Sequence, residues 1–167
     1  MPQDILEDEP VDPQNGDLLI GLDISGDKLI HAVNSGLHAR YRALGCQIFY
    51  MINDLLPLQM PDVFPPEAHK GFEVWLNAAV QGDGAICGSR SVADDLGQWI
   101  RNKKEYNQNH SRHFYICWSH HGADLSNSAS SKGIPVDSDF ILNTLHSRLS
   151  FLMVGTIEPR KGHLQVI

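Results

Sequence analysis

Asp17-Leu18-Leu19-Ile20-Gly21-Leu22-Asp23, the run from Lys28 to Leu44, and Cys46-Gln47-Ile48-Phe49-Tyr50-Met51-Ile52-Asn53 together decide the fold. The first and third segments are short continuous apolar runs, the pattern of strands buried on both faces. Between them Ile30, Val33, Leu37, Tyr41 and Leu44 fall on one face of a single helix over 28–44, and Gly45 suits its C-terminal cap. Strand, helix and strand at this spacing imply a right-handed crossover joining two parallel strands.

The alternation continues outward. Residues 54–66 are Pro-rich and read as a loop, after which Pro66 and Glu67 open a helix with Phe72, Trp75, Leu76 and Ala79 on one face. Gly84-Ala85-Ile86-Cys87-Gly88 is a third strand. Ser89 is placed as N-cap of a helix whose apolar face is Val92, Ala93, Leu96, Trp99 and Ile100. His113 to Trp118 is a fourth strand, a Ser/Gly/Asn-rich loop spans 119–133, and a helix lies near 137–148. Phe151-Leu152-Met153-Val154 reads as a last strand, followed by a glycine turn with two cations, Arg160 and Lys161, and the opening of a helix. The fold class expected is therefore α/β, a mostly parallel sheet with helices on both faces.

Composition sets the class of partner. The chain has 167 residues, 42% hydrophobic and 20% charged, as befits a folded globular protein. Six of its 20 acids lie in the first 17 residues, which carry no Lys or Arg, so 14 acids face 13 bases in the remainder. No basic face emerges, which argues against nucleic acid as a partner. Residues 1–16 read as an acidic, Pro-rich loop or linker. Cys46, Cys87 and Cys117 are odd in number and fall in or beside strand-like runs, as reduced, buried cysteines of the cytoplasm do. No apolar run nears the roughly 20 residues of a membrane span.

In parallel sheets the functional groups collect at the carboxyl ends of strands. Those here are Asp23, Asn53 with Asp54, Gly88 with Ser89, and His120 to Asp124. Asp54 can fix a turn or face a ligand hydroxyl. Ser89 is sufficiently explained as a helix cap. The adjacent His120 and His121 invite a metal reading, but neighbouring strand residues point to opposite faces and no partner motif occurs, so no metal is expected. Gly82-Asp83-Gly84 precedes a strand rather than following one, which disqualifies it as a dinucleotide turn. The last strand, its basic glycine turn and a helix start form a phosphate-holding device, Arg160 and Lys161 adding charge to backbone N–H groups. That device reads as the first piece of a second domain, so the chain is expected to be a fragment.

The segment from Phe151 to His163 also resembles the opening of the nucleotide-sugar-binding domain in retaining glycosyltransferases with two Rossmann-like domains (the GT-B fold, family-four type). Asn53-Asp54-Leu55-Leu56-Pro57 is similar to a strand end that lies near the cleft of that family, with Asn53 where His is frequent. Ser89-Arg90-Ser91-Val92-Ala93-Asp94 resembles its Ser-x-x-Val-Ala-Asp segment, and Gly122-Ala123-Asp124 the turn into its interdomain linker. The matches run in the family's order and cover nearly everything from Asp17 onward.

The resemblance implies transfer of a hexose such as mannose from a nucleotide-diphosphate sugar to a glycan such as a surface polysaccharide. It implies retention, no metal and no cofactor beyond the sugar donor. Gly155, Arg160, Lys161 and Gly162 correspond to the diphosphate-holding turn; Asn53, Asp54, Ser89 and Asp124 are the cleft-lining candidates. The family often carries Arg directly after the first Gly of the turn. Thr156 stands there, and Arg160 is the substitute. Residues 17–148 would be part of the acceptor-side domain and 149–167 the start of the donor-side domain. The fragment alone is expected to be inactive. The full-length enzyme would be cytoplasmic, with room for peripheral contact at the inner membrane face. The competing class is a freestanding flavodoxin-like signalling or binding domain; receiver domains, however, end their last strand in Lys, where Gly155 stands.

Overall fold

The computed structural model describes residues 11–22, 24, 26–103, 113–122 and 134–166, and among these the sheet has four strands in the order β1-β2-β3-β4, all parallel. They are β1 (Leu18–Gly21), β2 (Gln47–Ile52), β3 (Gly84–Cys87) and β4 (Tyr115–Trp118). The helices are α1 (Asp27–Asn34), α2 (Leu37–Ala43), α3 (Leu56–Gln59), α4 (Pro66–Ala79), α5 (Arg90–Asn102) and α6 (Ser138–His146). The architecture is α/β, the arrangement of part of a Rossmann-like domain. The chain divides into two compact units, Met1–His120 and His121–Ile167.

In the first unit, every crossover steps to the same side, from β1 to β2 to β3 to β4. Right-handed crossovers that never reverse direction put their helices on one face. The covered face carries Ile48, Tyr50, Ile52, Ala85 and Cys87, all buried, with Trp75 and Leu76 of α4 and Leu96 of α5 in the same core. The register places Leu18, Ile20, Phe49, Met51, Ile86 and Tyr115 on the other face. None of these is buried, and Tyr115 is 57% exposed. The expected cover on both faces is thus realised on one face by the described helices of this unit. It also follows that β1, expected to be fully buried, is a half-exposed edge strand.

The helix expected over 28–44 is two helices. Gly36 adopts φ 83° and ends α1, its N–H bonding the Val33 carbonyl at 3.0 Å. The left-handed conformation ends a helix wherever it is adopted, and glycine takes it without a Cβ clash. Gly45 repeats the device at the end of α2. It has φ 83°, its N–H bonds Arg42 O at 2.9 Å, and Cys46 N–H reaches Tyr41 O at 3.1 Å. This pair of bonds is a Schellman cap.

The α4 and α5 faces match the sequence pattern, Phe72, Trp75, Leu76 and Ala79 being buried in the one and Ala93, Leu96 and Ile100 in the other. The stretch 54–66 contains the short α3 and a 3-10 turn, Pro61–Val63, rather than plain loop. Cys46 and Cys87 are buried free thiols; Cys117, expected to be buried, is exposed, as are all four residues of β4. In the second unit, Phe151 to Val154 form no strand, and Phe151, Leu152 and Val154 are more than 80% exposed. A strand exists only by pairing, and the described residues of this unit contain no other extended partner.

Candidate functional site

The carboxyl edge of the sheet is assembled by backbone bonds that run past the strand ends. Gly88 N–H donates to Ile52 O at 3.0 Å, and Ser119 N–H donates to Cys87 O at 3.0 Å. Asn53 with Asp54, Gly88 with Ser89, and Ser119 with His120 therefore follow three adjacent strand ends. Asn53 and Asp54 are exposed. Asp54 Oδ1 accepts from Leu56 N–H at 3.0 Å, which starts α3. Ser89 Oγ accepts from Val92 N–H at 3.3 Å and caps α5, as the sequence indicated. The His120 ring meets the Trp118 indole edge-on, with centroids 5.3 Å apart. Asp23 and Asp124 lie outside the described residues.

On the same side of the sheet an open, mainly apolar pocket of about 510 Å³ lies where Ile24 and Asp27 approach Pro57 and the α4 residues Lys70, Gly71 and Trp75. Asn53, Asp54 and Ser89 do not line it. The strand-end candidates thus form a polar edge, and the pocket is a separate recess between α1 and α4. Among the described residues no three His, Cys, Asp or Glu side chains come together as metal ligands, and no helix is long and apolar enough to cross a membrane.

The second unit carries the basic turn. Two 3-10 turns, Pro159–Lys161 and His163–Gln165, replace the expected helix start. Gly162 joins them at φ 69°, in the left-handed region. Three-residue turns align too few peptide dipoles to act as a helix terminus, so side-chain charge and local N–H groups are what this turn offers an anion. The Lys161 stem lies along Gly155, where an added Cβ would sit 3.7 Å from Lys161 Cδ. Of the four residues expected to hold a diphosphate, Gly155 thus lies beside Lys161, and Arg160 and Gly162 are that lysine's chain neighbours.

Sequence reasoning missed the acid inside this turn. Glu158 Oε2 accepts from Arg160 Nε at 2.6 Å, and Oε1 accepts from the Thr156 hydroxyl. These hydrogen bonds, Thr156 first, hold its carboxyl below the usual range. The available signal was an acid two residues before Arg160 with Pro159 fixing φ between them. A second missed pair is buried in the first unit. His38 Nε2 lies 2.8 Å from Tyr50 Oη, and burial lowers the imidazole and raises the phenol to about 12.

Against known proteins, the chain is similar to three Escherichia coli proteins named serotype-specific mannosyltransferase WbdA. Identity is 34% over 164 residues in two of them and 35% over 161 residues in the third. Each match covers 96% of this chain and 19% of the relative, so the chain spans about a fifth of their length. No family model matches the chain, and no solved structure does.

Proposed function

We propose that this chain is a segment of a glycosyltransferase that passes mannose from a nucleotide-diphosphate donor to a growing surface polysaccharide. The observation that carries the reading is its similarity, along nearly its whole length, to proteins named mannosyltransferases. In this reading residues 17–148 contribute the acceptor-side unit of a two-domain, GT-B-type enzyme, and 149–167 begin the donor-side domain. Asn53, Asp54, Ser89 and Asp124 border the cleft. Gly155, Arg160, Lys161 and Gly162 hold the donor diphosphate.

The chemical demand is stabilisation of a departing diphosphate beside an electron-poor sugar carbon. Fixed cations and N–H groups meet that demand where negative charge develops. Arg160 and Lys161 supply two charges within one turn, and Gly155 and Gly162 keep Cβ atoms out of its backbone. Asn53 is neutral and not a base, so proton transfer falls to another group. The reaction retains anomeric configuration and runs without a metal. The enzyme works in the cytoplasm, with room for peripheral contact at the inner face of the membrane.

The test is to express the protein from its complete reading frame and supply nucleotide-diphosphate mannoses with a panel of glycan acceptors. Transfer of labelled mannose, an unchanged anomeric configuration by NMR and indifference to chelator are expected. Failure to turn over any nucleotide-mannose would sink the reading; loss of activity with chelator would sink its metal-independent part.

A further inference from the structure

The turn that carries Arg160 and Lys161 contains its own anion. Arg160 Nε is 2.6 Å from Glu158 Oε2, with the two side chains 27% and 38% exposed. The other carboxylate oxygen takes the Thr156 hydroxyl. Lys161 N–H bonds Glu158 O at 3.0 Å, so the acid and both cations belong to one 3-10 turn. The guanidinium is a planar fork with five N–H donors, and the one Glu158 takes is the inner Nε–H.

We propose that Glu158 is the positioning residue for the donor diphosphate: its carboxylate, oriented by Thr156, grips Arg160 Nε and sets the plane in which the guanidinium meets the phosphates. The inference rests on the assignment of this turn to the diphosphate. A free arginine loses much rotamer freedom when it orders around a ligand; here the Glu158 contact already holds Arg160 within the turn. Charge and position have opposite signs. Deleting Glu158 makes the turn more cationic, which by attraction alone tightens an anion. It also releases Arg160, which loosens one.

The experiment uses the protein from its complete reading frame, with inorganic diphosphate and the guanosine and uridine diphosphates as probes, followed by calorimetry. Arg160→Ala tests the underlying assignment: affinity equal to wild type removes the diphosphate reading, and this inference with it. If Arg160→Ala weakens binding, Glu158→Ala is expected to weaken it about tenfold, the scale of one charge-assisted hydrogen bond. Adding Glu158→Ala to Arg160→Ala is expected to cause no further loss and, with only the charge effect left, to tighten binding slightly, because the acid positions through the arginine. Glu158→Gln, whose amide oxygen can accept from Arg160 Nε while its amide N–H donates to the Thr156 hydroxyl oxygen, guards against loss of the turn and is expected to recover most of the affinity. Unchanged or tighter binding in Glu158→Ala overturns the proposal, as does an equal loss from Glu158→Ala with and without Arg160.

Discussion

Arg42 donates through Nε to the Asp83 carboxylate at 2.8 Å, across 41 residues of chain, and ties α2 to the turn before β3. The other Asp83 oxygen accepts from Ile48 N–H at 2.9 Å, and Arg42 Nη2 reaches Gln81 O at 2.6 Å. One carboxylate therefore joins the helix, β2 and β3 at the amino edge of the sheet. Both side chains are four-fifths covered, so the pair is worth more than a surface bridge. Asp83→Ala is expected to cost about 2–3 kcal/mol by urea unfolding, since it strands a guanidinium and a strand N–H together. Arg42→Ala should cost about 1 kcal/mol, because Ile48 keeps its acceptor. Two losses below about 0.5 kcal/mol, the range of an ordinary surface substitution, would rule out the clamp.

The two faces of the sheet make a second, sharper contrast. Ile20 and Ile48 sit on neighbouring strands with opposite orientation, Ile20 39% exposed and Ile48 fully buried. Ile48→Ala is expected to destabilise by about 3–4 kcal/mol through lost burial and a cavity. Ile20→Ala should cost under about 1 kcal/mol. Equal costs would show that something covers the Ile20 face as well as the Ile48 face.

These two residues also mark what the sequence could reveal. Period and length make β2, α4 and α5 legible, because Ile48, Trp75 and Leu96 bury wherever the helices dock. Ser89 was legible as a cap since its role is local. Gly36 was not: the apolar face of 28–44 continues through it, and only the backbone shows its left-handed turn. The face that the described helices leave open was hidden for another reason. Leu18, Ile20 and Phe49 look like buried strand residues in any order of strands, and topology alone decides which face receives helices. Likewise Phe151 to Val154 have strand composition, but pairing is a tertiary event that composition cannot supply. At the candidate site, the cations of 155–162 were visible and the Glu158 contact was not, since it depends on how the turn closes.

The buried His38–Tyr50 pair predicts how stability responds to pH. Burial, followed by the Arg42 charge, lowers His38 below its usual 6.5. The unfolded chain then binds a proton more readily than the folded one as pH falls below about 6.5, so stability is lost on acidification through that window. Tyr50 acts at the other end. Burial raises it from 10.0 to about 12, so the unfolded phenol ionises first and stability falls as pH rises from 10.0 toward about 12. A thermal-midpoint series should show both declines. His38→Phe should flatten the acid limb, at the expense of a lower midpoint near neutrality from the stranded Tyr50 hydroxyl. An unaltered acid slope in the variant would remove His38 as its cause.

Ser89 can be separated into cap and ligand. Ser89→Ala removes the acceptor for Val92 N–H and is expected to cost about 1 kcal/mol. Ser89→Asp keeps a capping oxygen and should stay within a few tenths of wild type. If the hydroxyl also borders substrate, Ser89→Asp will raise KM in the full-length enzyme while stability holds. An unchanged KM would leave Ser89 with capping alone.

Gly162 gives the most local test of the basic turn. Its φ of 69° joins the two 3-10 turns, and an added Cβ would stand 2.9 Å from Gln165 Oε1. The contact can yield, since Gln165 is flexible at that end; the backbone angle cannot, because L side chains resist it at about 1–2 kcal/mol. Asn tolerates the left-handed region better than Ala, and β-branched residues tolerate it worst. Nucleoside diphosphate affinity in the full-length enzyme should therefore fall in the order Gly162, Asn, Ala, Val, with Gly162→Val weaker by about tenfold or more on the scale of that strain. An affinity indifferent to this series would mean that the turn's shape does not matter to the donor, and the diphosphate would have to be sought elsewhere than at Arg160 and Lys161.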